Sequence, residues 1–355
     1  MKIGILTFQF AHNYGALLQA FSLRKYLCSY NTEPDILNFV PQKLKNEYSI
    51  NPFAYSKRPL TCLSLFLRNV KRLIQYRLFK SFQADFLLLK RPIYTGAEFS
   101  DALKKYDAVI VGSDQVWNTD ITGNIPNYFL SDIDYDGKMM SYAASFGKQS
   151  LNSYETEKLK CALPRFSAIS VRESRGVDLV KACTGIKSEL VCDPVFLTGD
   201  KEWISVSRKP KSVKKEKFLV YYSLKENNEL RMKAESYAKA HGLIIYSVHP
   251  TGVRQKISGI QLYDIGPMEF IWLIKNAEVV FSNSFHATAF SAIFRKRLVY
   301  IPVKGLESRV DSLIEALDVK KTNGVYDFSA VDSGRLKQYA ESGKKYLNKM
   351  IAGML

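Results

Sequence analysis

Blocks of apolar residues alternate with polar loops along the chain, in a pattern that predicts strands followed by helices. The opening KIGILTF is apolar and predicts a buried first strand. After the loop QFAHNYG, Leu17, Leu18, Phe21 and Leu27 recur at the spacing of one helical face, and PDILNF predicts a second strand. A strand, a helix and a second strand in this order are typical of a parallel α/β sheet.

The same alternation continues to the end of the chain. Further strands of the first half, each ending in small or polar residues, are predicted at YDAVIVG, KMMSYAASFG, SAISVRES and ELVCDPVF. Residues 201–216 lose the apolar periodicity and become basic, which predicts a linker. Beyond it, strands are predicted at KFLVYYSL, LIIYSV, EVVFS and RLVYIPV, and helices at ELRMKAESYAKAHG, at PMEFIWLIKNA, from Ser284 and from Ser308.

These elements predict an α/β protein with two Rossmann-like parallel-sheet domains that face a cleft. The chain has 355 residues, more than one ordinary core accommodates, which also favours two domains. We place the first domain at 1–205, with a basic helical insertion at about 41–100, and the second at 206–329. We expect a last basic helix, at 330–355, to rejoin the first domain.

Hydropathy, cysteine content and net charge indicate where the protein is located and which classes of partner it binds. The sequence shows no apolar run of membrane-spanning length and no signal-peptide cleavage site, and its five cysteines are scattered, which predicts a cytoplasmic location. The net charge of +17 favours anionic partners, namely nucleic acid, phosphorylated small molecules or an acidic membrane surface. Because the sequence holds no nucleic-acid-binding motif, we expect no nucleic-acid partner.

A basic amphipathic helix is predicted within the insertion, at LSLFLRNVKRLIQYRLFKSF. Its apolar face consists of Leu63, Phe66, Leu67, Val70, Leu73 and Ile74, and much of the remainder consists of Arg68, Lys71, Arg72, Arg77 and Lys80. Such a helix can lie on an anionic bilayer, at the inner face of the membrane. The alternative, which is the commoner situation, is a surface helix packed on its own domain.

One of the four histidines, His286, lies where a predicted strand gives way to a predicted helix. If Ser282 ends the strand and Ser284 caps the helix, His286 lies in the first helical turn. Free backbone N–H groups and the positive end of the helix dipole favour an anion there. A histidine in that place can donate a hydrogen bond to a phosphate or transfer a proton. The alternative is a histidine with satisfied hydrogen bonds beside a core helix.

Arg172 follows another predicted strand, in SAISVRES. Its guanidinium can form a two-pronged contact with a carboxylate or a phosphate, or a surface ion pair with Glu173. Asp193 comes directly before Pro194, which indicates an extended turn more than a catalytic role.

Two polar loops of the first half are further candidates. The loop with His12 and Asn13 is either part of a binding surface or a plain turn. Asp114, in GSDQVWN, is either a general base or a helix cap. The sequence contains no Ser/His/Asp order, Walker loop, G-x-G-x-x-G or metal-spaced cluster, so we expect no metal and no cofactor.

Six segments together resemble the polysaccharide pyruvyl transferase family. They are GILTFQFAHNYGALLQAFSLRKYL, VGSDQVWN, SYAASFG, SVRES, VCDPVFL and FSNSFHATAFSAIFRK, and in this order they span about positions 1–320. The resemblance implies a fold like that of the GT-B glycosyltransferases. It also implies phosphoenolpyruvate as the donor co-substrate and a pair of sugar hydroxyls as the acceptor, on a polysaccharide or its lipid-linked precursor.

The resemblance also assigns residues. His286 matches the histidine with which the family binds the donor, and Arg172 matches an arginine that holds the donor. Many members have Arg-Leu-His where this chain has Ser284, Phe285 and His286, so a guanidinium is missing at position 284. Residues that could replace it are Arg295, Lys296, Lys304 and Arg309.

On this interpretation, the acceptor faces His12, Asn13 and Asp114 across the cleft. The alternatives are a GT-B glycosyltransferase that uses a nucleotide sugar, and a basic protein without enzymatic activity that binds nucleic acid or lipid.

Overall fold

The computed structural model describes residues 1–41, 59–214, 217–303 and 307–353, and for residues 59–71 it describes the backbone alone. Each half of the chain forms its own open sheet with parallel strands at its centre. The prediction of an α/β fold with two parallel-sheet halves is confirmed.

The first sheet contains strands β1 (Lys2–Leu6), β2 (Glu33–Ile36), β3 (Ala108–Val111), β4 (Lys138–Ser141) and β5 (Phe166–Ala168). They lie in the order β2-β1-β3-β4-β5, and every pairing is parallel. All of β3 is fully buried, as expected for a central strand covered on both faces. A short parallel pair, β6 (Ser170–Val171) and β7 (Glu189–Leu190), lies beyond this sheet.

The helices of the first half connect these strands. They are α1 (Tyr14–Leu27), α2 (Pro59–Asp85), α3 (Gly96–Leu103), α4 (Thr119–Thr122), α5 (Ser153–Ala162), α6 (Ser174–Thr184) and α7 (Asp200–Val206). The apolar residues Leu17, Leu18, Phe21 and Leu27 are all buried, so the predicted packing face of α1 is confirmed.

The second sheet contains β8 (Phe218–Tyr222), β9 (Ile244–Val248), β10 (Ile260–Gln261), β11 (Val279–Ser282), β12 (Arg297–Tyr300), β13 (Lys321–Thr322) and β14 (Val325–Asp327). Their order is β10-β9-β8-β11-β12-β14-β13, and β14 runs antiparallel to both of its neighbours. Its helices are α8 (Asn228–His241), α9 (Pro267–Asn276), α10 (Phe285–Ile293) and α11 (Ser308–Leu317), and α12 (Ser333–Ala352) follows.

Among the parallel strands, the order reverses once in each sheet, between β1 and β3 and between β8 and β11. Open α/β sheets bind ligands beyond the carboxyl ends of the strands at such a reversal. The loop after β1 leads into α1, and the loop after β11 leads into α10. The topology therefore places the N-termini of these two helices where ligands are expected.

The predicted linker at 201–216 is wrong over its first part. Residues from Asp200 to Val206 form helix α7, whose Trp203 is fully buried. The indole Nε1 donates a hydrogen bond to the carbonyl of Val195 (3.0 Å), and the ring packs against Phe21 and Phe290. One large aromatic side chain therefore anchors a segment whose basic composition suggested a loop.

Helix α2 is the basic helix predicted from the sequence, and its C-terminal part lies between the two halves. The amide Nε2 of Gln75 donates to the hydroxyl of Tyr14 (2.8 Å) and to the carbonyl of His249 (2.8 Å). Phe79 and Phe82 are fully buried, whereas Ile74 of the predicted apolar face is 54% exposed. The predicted positions outside the described side chains are Leu63, Phe66, Leu67, Arg68, Val70 and Lys71.

The last helix, α12, returns to the first half. The hydroxyl of Tyr346 donates to the carbonyl of Ser141 (2.9 Å), at the end of β4. Tyr339 packs edge-on against Phe196, with ring centroids 5.0 Å apart. Throughout the part of the chain that the structure describes, no helix has the length and apolar character needed to cross a bilayer.

Candidate functional site

His286 lies in the first turn of α10, as the sequence predicts. Strand β11 ends at Ser282, and Ser284 is the N-cap of α10. The backbone N–H of Ala287 donates a hydrogen bond to the hydroxyl oxygen of Ser284 (3.5 Å). A serine before an apolar helix is a local signal, which is why this boundary could be read from the sequence. His286 itself is buried.

Two residues of the first half contact the His286 ring, which belongs to the second half. Its Nε2 lies 3.5 Å from Oδ2 of Asp193, in the loop after β7. On another side the ring abuts Gly15, in the first turn of α1, where a Cβ atom would lie 2.0 Å from Nδ1. Only a residue without a side chain fits beside His286 at position 15, so α1 and α10 approach each other closely there.

Asn13 shapes the end of α1. Its Oδ1 accepts hydrogen bonds from the backbone nitrogens of Gly15 (3.0 Å) and Ala16 (3.3 Å). The predicted turn former is therefore the N-cap of α1, and two helix N-termini meet at His286. Their dipoles add a positive potential at this point.

His12, one residue earlier, is enclosed by α2. Its ring lies 5.0 Å from the ring of Tyr76 and 5.4 Å from that of Phe79. Burial, followed by the positive charges of Lys80 and Arg72, lowers the pKa of His12 to about 3. His12 is therefore neutral at pH 7, and its aromatic contacts contribute to packing between α2 and the first sheet.

Arg172 is fully buried and already shares its charge with two carboxylates. Its Nη1 donates to Oδ2 of Asp193, and its Nη2 lies 3.4 Å from Oδ1 of Asp114. Burial alone would lower the pKa of Arg172, but Asp193 and Asp114 outweigh it and raise that pKa. The alternative of a surface ion pair with Glu173 is not observed: Arg172 is buried, and Glu173 accepts from the backbone nitrogen of Phe146 (2.9 Å).

Asp193 is the centre of this cluster, although the sequence indicated only a turn. Its Oδ1 accepts from the backbone nitrogen of Val195 (3.0 Å), and its Oδ2 faces Arg172, His286 and the hydroxyl of Ser113 (3.4 Å). Burial would raise the pKa of Asp193, but His286 and Arg172 outweigh it and hold the pKa below its usual range. The available signal was a polar residue near the end of a predicted strand segment, a position that Asp193 in ELVCDPVF shares with Arg172 in SAISVRES.

Asp114 is not a helix cap. It follows β3 with a positive φ of 74° and accepts from the backbone nitrogen of Gln115 (2.9 Å) as well as from Arg172. Asp tolerates this left-handed conformation better than most residues do. The turn directs its carboxylate towards Arg172, so Asp114 belongs to the same charged cluster as Asp193.

Two guanidinium groups lie close to the ring of Phe285. Its ring centroid is 4.7 Å from the guanidinium carbon of Arg172 and 6.0 Å from that of Arg309. Arg309 is buried, and among the described residues it has no ion pair, while its Nε has no hydrogen-bond partner. Burial, followed by the charge of Arg172, lowers the pKa of Arg309. Two neighbouring buried cations, one of them without an ion pair among the described residues, favour an anionic ligand.

Arg295 does not reach this cluster, which corrects its predicted role in donor binding. It follows the C-terminus of α10 and lines a separate cavity of about 550 Å³ with residues of α12. Arg295 lies nine positions after His286, which corresponds to about 13 Å along a helix. Lys296 is its neighbour, and Lys304 lies outside the described residues.

Comparison with known proteins identifies a family. A model of the family described as polysaccharide pyruvyl transferase matches residues 13–305. No curated protein matches the sequence. Similar solved structures include the UDP-GlcNAc 2-epimerase of Methanocaldococcus jannaschii, with 14% identity, 99% of this chain and 100% of that chain covered, and a TM-score of 0.45.

Two further similar structures have comparable coverage. The UDP-N-acetylglucosamine 2-epimerase of Rickettsia bellii has 11% identity, 99% and 96% coverage of the two chains and a TM-score of 0.48. The ADP-heptose LPS heptosyltransferase II of E. coli has 11% identity, 99% coverage of each chain and a TM-score of 0.38.

The family match extends over Asn13, Asp114, Arg172, Asp193 and His286, and therefore over most of the cluster. Arg309 lies beyond its end, so the structure alone brings that residue to the site. The chain belongs to the polysaccharide pyruvyl transferase family.

Proposed function

We propose that the protein transfers pyruvate from phosphoenolpyruvate to two hydroxyls of one sugar residue, forming a ketal on a polysaccharide or its lipid-linked precursor. The observation that supports this donor most directly is Arg309, a buried guanidinium without an ion pair among the described residues, beside Phe285 and Arg172. Phosphoenolpyruvate carries a phosphate and a carboxylate, so it suits a cationic pocket rich in hydrogen-bond donors.

Arg309 is the donor-binding arginine of this proposal. It supplies the guanidinium that many family members have at position 284, and it approaches from α11 instead of from the cap of α10. The backbone N–H groups at the start of α10, from Phe285 onward, supply further donors. Arg172 contributes through charge, because both of its Nη atoms contact carboxylates.

The reaction moves two protons: the two sugar hydroxyls each lose one, and the methylene carbon and the released phosphate each gain one. The enol carbon of phosphoenolpyruvate takes up a proton and becomes a methyl group, which makes the adjacent carbon electrophilic. One sugar hydroxyl attacks that carbon, the second displaces phosphate, and the two hydroxyl protons balance the new methyl C–H bond and the released phosphate. His286 is the best-placed group for one of these transfers.

The acceptor lies on the side of the first half in this proposal, next to the loop with His12 and Asn13 and to Asp114. The side chain of Asn13 already caps α1, and that of Asp114 already contacts Arg172. We therefore assign the contact with the acceptor to the surface of the two loops that hold these residues, and not to their side chains alone. If the acceptor is lipid-linked, the enzyme acts at the inner face of the cytoplasmic membrane. No cofactor is needed.

A donor assay tests the proposal. The purified protein is incubated with phosphoenolpyruvate and a panel of α- and β-linked galactosides, and phosphate release is measured together with the product mass. We expect phosphate release that depends on the acceptor, and a product with the mass of the pyruvate ketal. His286→Ala is expected to abolish both while the melting temperature stays close to that of the wild type.

Other results would contradict the proposal. Turnover of nucleotide sugars without use of phosphoenolpyruvate would indicate a glycosyltransferase. Binding to nucleic acid or liposomes that collapses with salt, without turnover of either donor, would indicate a basic protein without enzymatic activity. His286→Ala activity within a few-fold of the wild type would exclude His286 from proton transfer.

A further inference from the structure

Asp193 is a buried carboxylate that faces more hydrogen-bond donors than the single ion pair with Arg172 would supply. Its side chain is fully buried and faces Arg172, His286, Ser113 and the backbone nitrogen of Val195. A buried carboxylate is costly unless several donors compensate it. Binding of the donor by Arg309 does not explain why this charge faces His286.

The Asp193–His286 contact joins the two halves of the protein. Asp193 belongs to the first half and His286 to α10 of the second. Nε2 of His286 has no hydrogen-bond partner within the described residues, and Oδ2 of Asp193, at 3.5 Å, is an anionic acceptor facing it. Gly15 limits the position of the ring on another side. The ring is therefore held between a carboxylate and a helix backbone.

We propose that Asp193 is a positioning residue for His286, which keeps the imidazole proton on Nε2 and leaves the Nδ1 lone pair to accept a proton. In the transfer step, the C=C bond of phosphoenolpyruvate breaks as its methylene carbon takes up a proton. The O–H bond of the first acceptor hydroxyl breaks, its proton forms a bond to Nδ1, and the oxygen electron pair forms the new bond to the adjacent carbon. The second hydroxyl then forms its own C–O bond as the C–O bond to phosphate breaks; the proton on Nδ1 leaves with the phosphate, and the proton of the second hydroxyl replaces the one that the methylene carbon took up. The imidazolium that forms is stabilised by the Asp193 carboxylate. This inference rests on the proposed function for the role of His286 in turnover.

A purely structural role for Asp193, as the partner of Arg172, predicts a different outcome. Stability would then fall on substitution, while the tautomer of His286 would stay the same. The test therefore needs a readout at the imidazole itself. The protein contains only four histidines, so ¹⁵N spectra of histidine-labelled protein are simple, and His286→Gln identifies the His286 signals.

We expect the wild-type spectrum at pH 8 to show His286 with its proton on Nε2, and Asp193→Asn to shift the population towards the Nδ1–H tautomer. The same substitution should lower kcat by about 100-fold or more, with a KM for phosphoenolpyruvate within a few-fold of the wild type. An unchanged tautomer in Asp193→Asn would overturn the proposal. Because the spectrum requires no substrate, this result is independent of whether phosphoenolpyruvate is the donor.

A second variant does not disturb Asp193. Gly15→Ala adds one methyl group that collides with His286, and alanine is otherwise favourable in a helix. We expect kcat to fall at least about 10-fold. The melting temperature should fall by no more than a few degrees, because overpacking costs about 1–3 kcal/mol and the better helix propensity of alanine offsets about 1 kcal/mol of it. Gly96→Ala, in the first turn of α3 where no heavy atom lies within 4 Å of the new Cβ, is the matched control and should keep full activity. Equal activity of the Gly15 and Gly96 variants would contradict the positioning of His286.

Discussion

The two buried arginines beside Phe285 differ in what they contact. Arg172 has two carboxylate partners, whereas Arg309 has none among the described residues. A guanidinium with satisfied charges supports the fold, and one without partners attracts a ligand. The resemblance assigned donor binding to Arg172, but the contacts favour Arg309 for direct contact with an anion.

Arg309→Gln is expected to raise the KM for phosphoenolpyruvate about 10- to 100-fold, because a charge-assisted hydrogen bond contributes about 1.5–3 kcal/mol. The KM for the acceptor should change little. The melting temperature should stay the same or rise, since the substitution removes a buried cation that has no ion pair among the described residues. Arg295→Gln, at the other end of α10, is the control and should leave both KM values unchanged.

Arg172→Lys is expected to destabilise the protein by about 1–3 kcal/mol, because one ammonium group cannot reach both Asp193 and Asp114 as a planar fork does. Denaturation in urea at pH 7.5 measures the free energy of unfolding. An unchanged free energy, combined with a higher KM for phosphoenolpyruvate, would return Arg172 to direct contact with the donor.

At the scale of secondary structure elements, strand ends and helix caps could be predicted from the sequence, because they depend on residues a few positions apart. Contacts between elements that are distant in sequence could not. Ser282, Ser284 and His286 form a strand end, a cap and a first turn, and all three positions were predicted correctly. Asp193 looked like a turn because its significance comes from α10, which is distant in sequence. Trp203 looked like part of a linker because its partners, Phe21 and Phe290, lie in both halves.

The described C-terminal part of helix α2 has a packed face and an exposed face. Its C-terminal part packs between the halves through Gln75, Phe79 and Phe82. Ile74 and Arg77 remain exposed on the same helix. We therefore propose that the surface opposite the packed one contacts an anionic membrane and brings the enzyme to lipid-linked acceptors.

Replacing Arg68, Lys71, Arg77 and Lys80 with Gln is expected to reduce co-sedimentation with anionic liposomes at low salt, since each basic residue contributes about 1 kcal/mol near such a surface. Turnover of a soluble acceptor should stay nearly unchanged. The matched control replaces four exposed lysines on other parts of the surface, namely Lys239, Lys320, Lys337 and Lys345. Equal losses in both variants, or no binding by the wild type, would contradict membrane contact by α2.

On the scale of the whole molecule, the site exists only where the two halves are joined. His286 of the second half contacts Asp193 and Gly15 of the first, and Gln75 of α2 connects Tyr14 to His249. Separation of the halves would therefore remove the partners of His286 before either sheet unfolds. Conditions that weaken the contacts of α2 should lower activity and stability together.

Acid is such a condition, because two histidines beside α2 are held neutral. Burial is the first cause that lowers the pKa of His12 to about 3 and that of His249 to about 4. Each residue takes up a proton near pH 6.5 in the unfolded chain but not in the folded one. Their contribution to stability is therefore complete above pH 6.5 and is lost as the pH falls towards the folded pKa values.

Between pH 7.5 and pH 5.0, we expect the free energy of unfolding to decrease by about 2 kcal/mol for each of these histidines, since 1.5 pH units below 6.5 correspond to about that energy. Urea denaturation at the two pH values measures the decrease. His12→Gln and His249→Gln should each reduce it by about 2 kcal/mol, because glutamine does not titrate. His241→Gln, on the exposed surface of α8, controls for the loss of a histidine as such. If the decrease stayed the same in His12→Gln, a neutral His12 between α2 and the first sheet would be excluded, and the acid sensitivity of the joined halves would have to arise elsewhere.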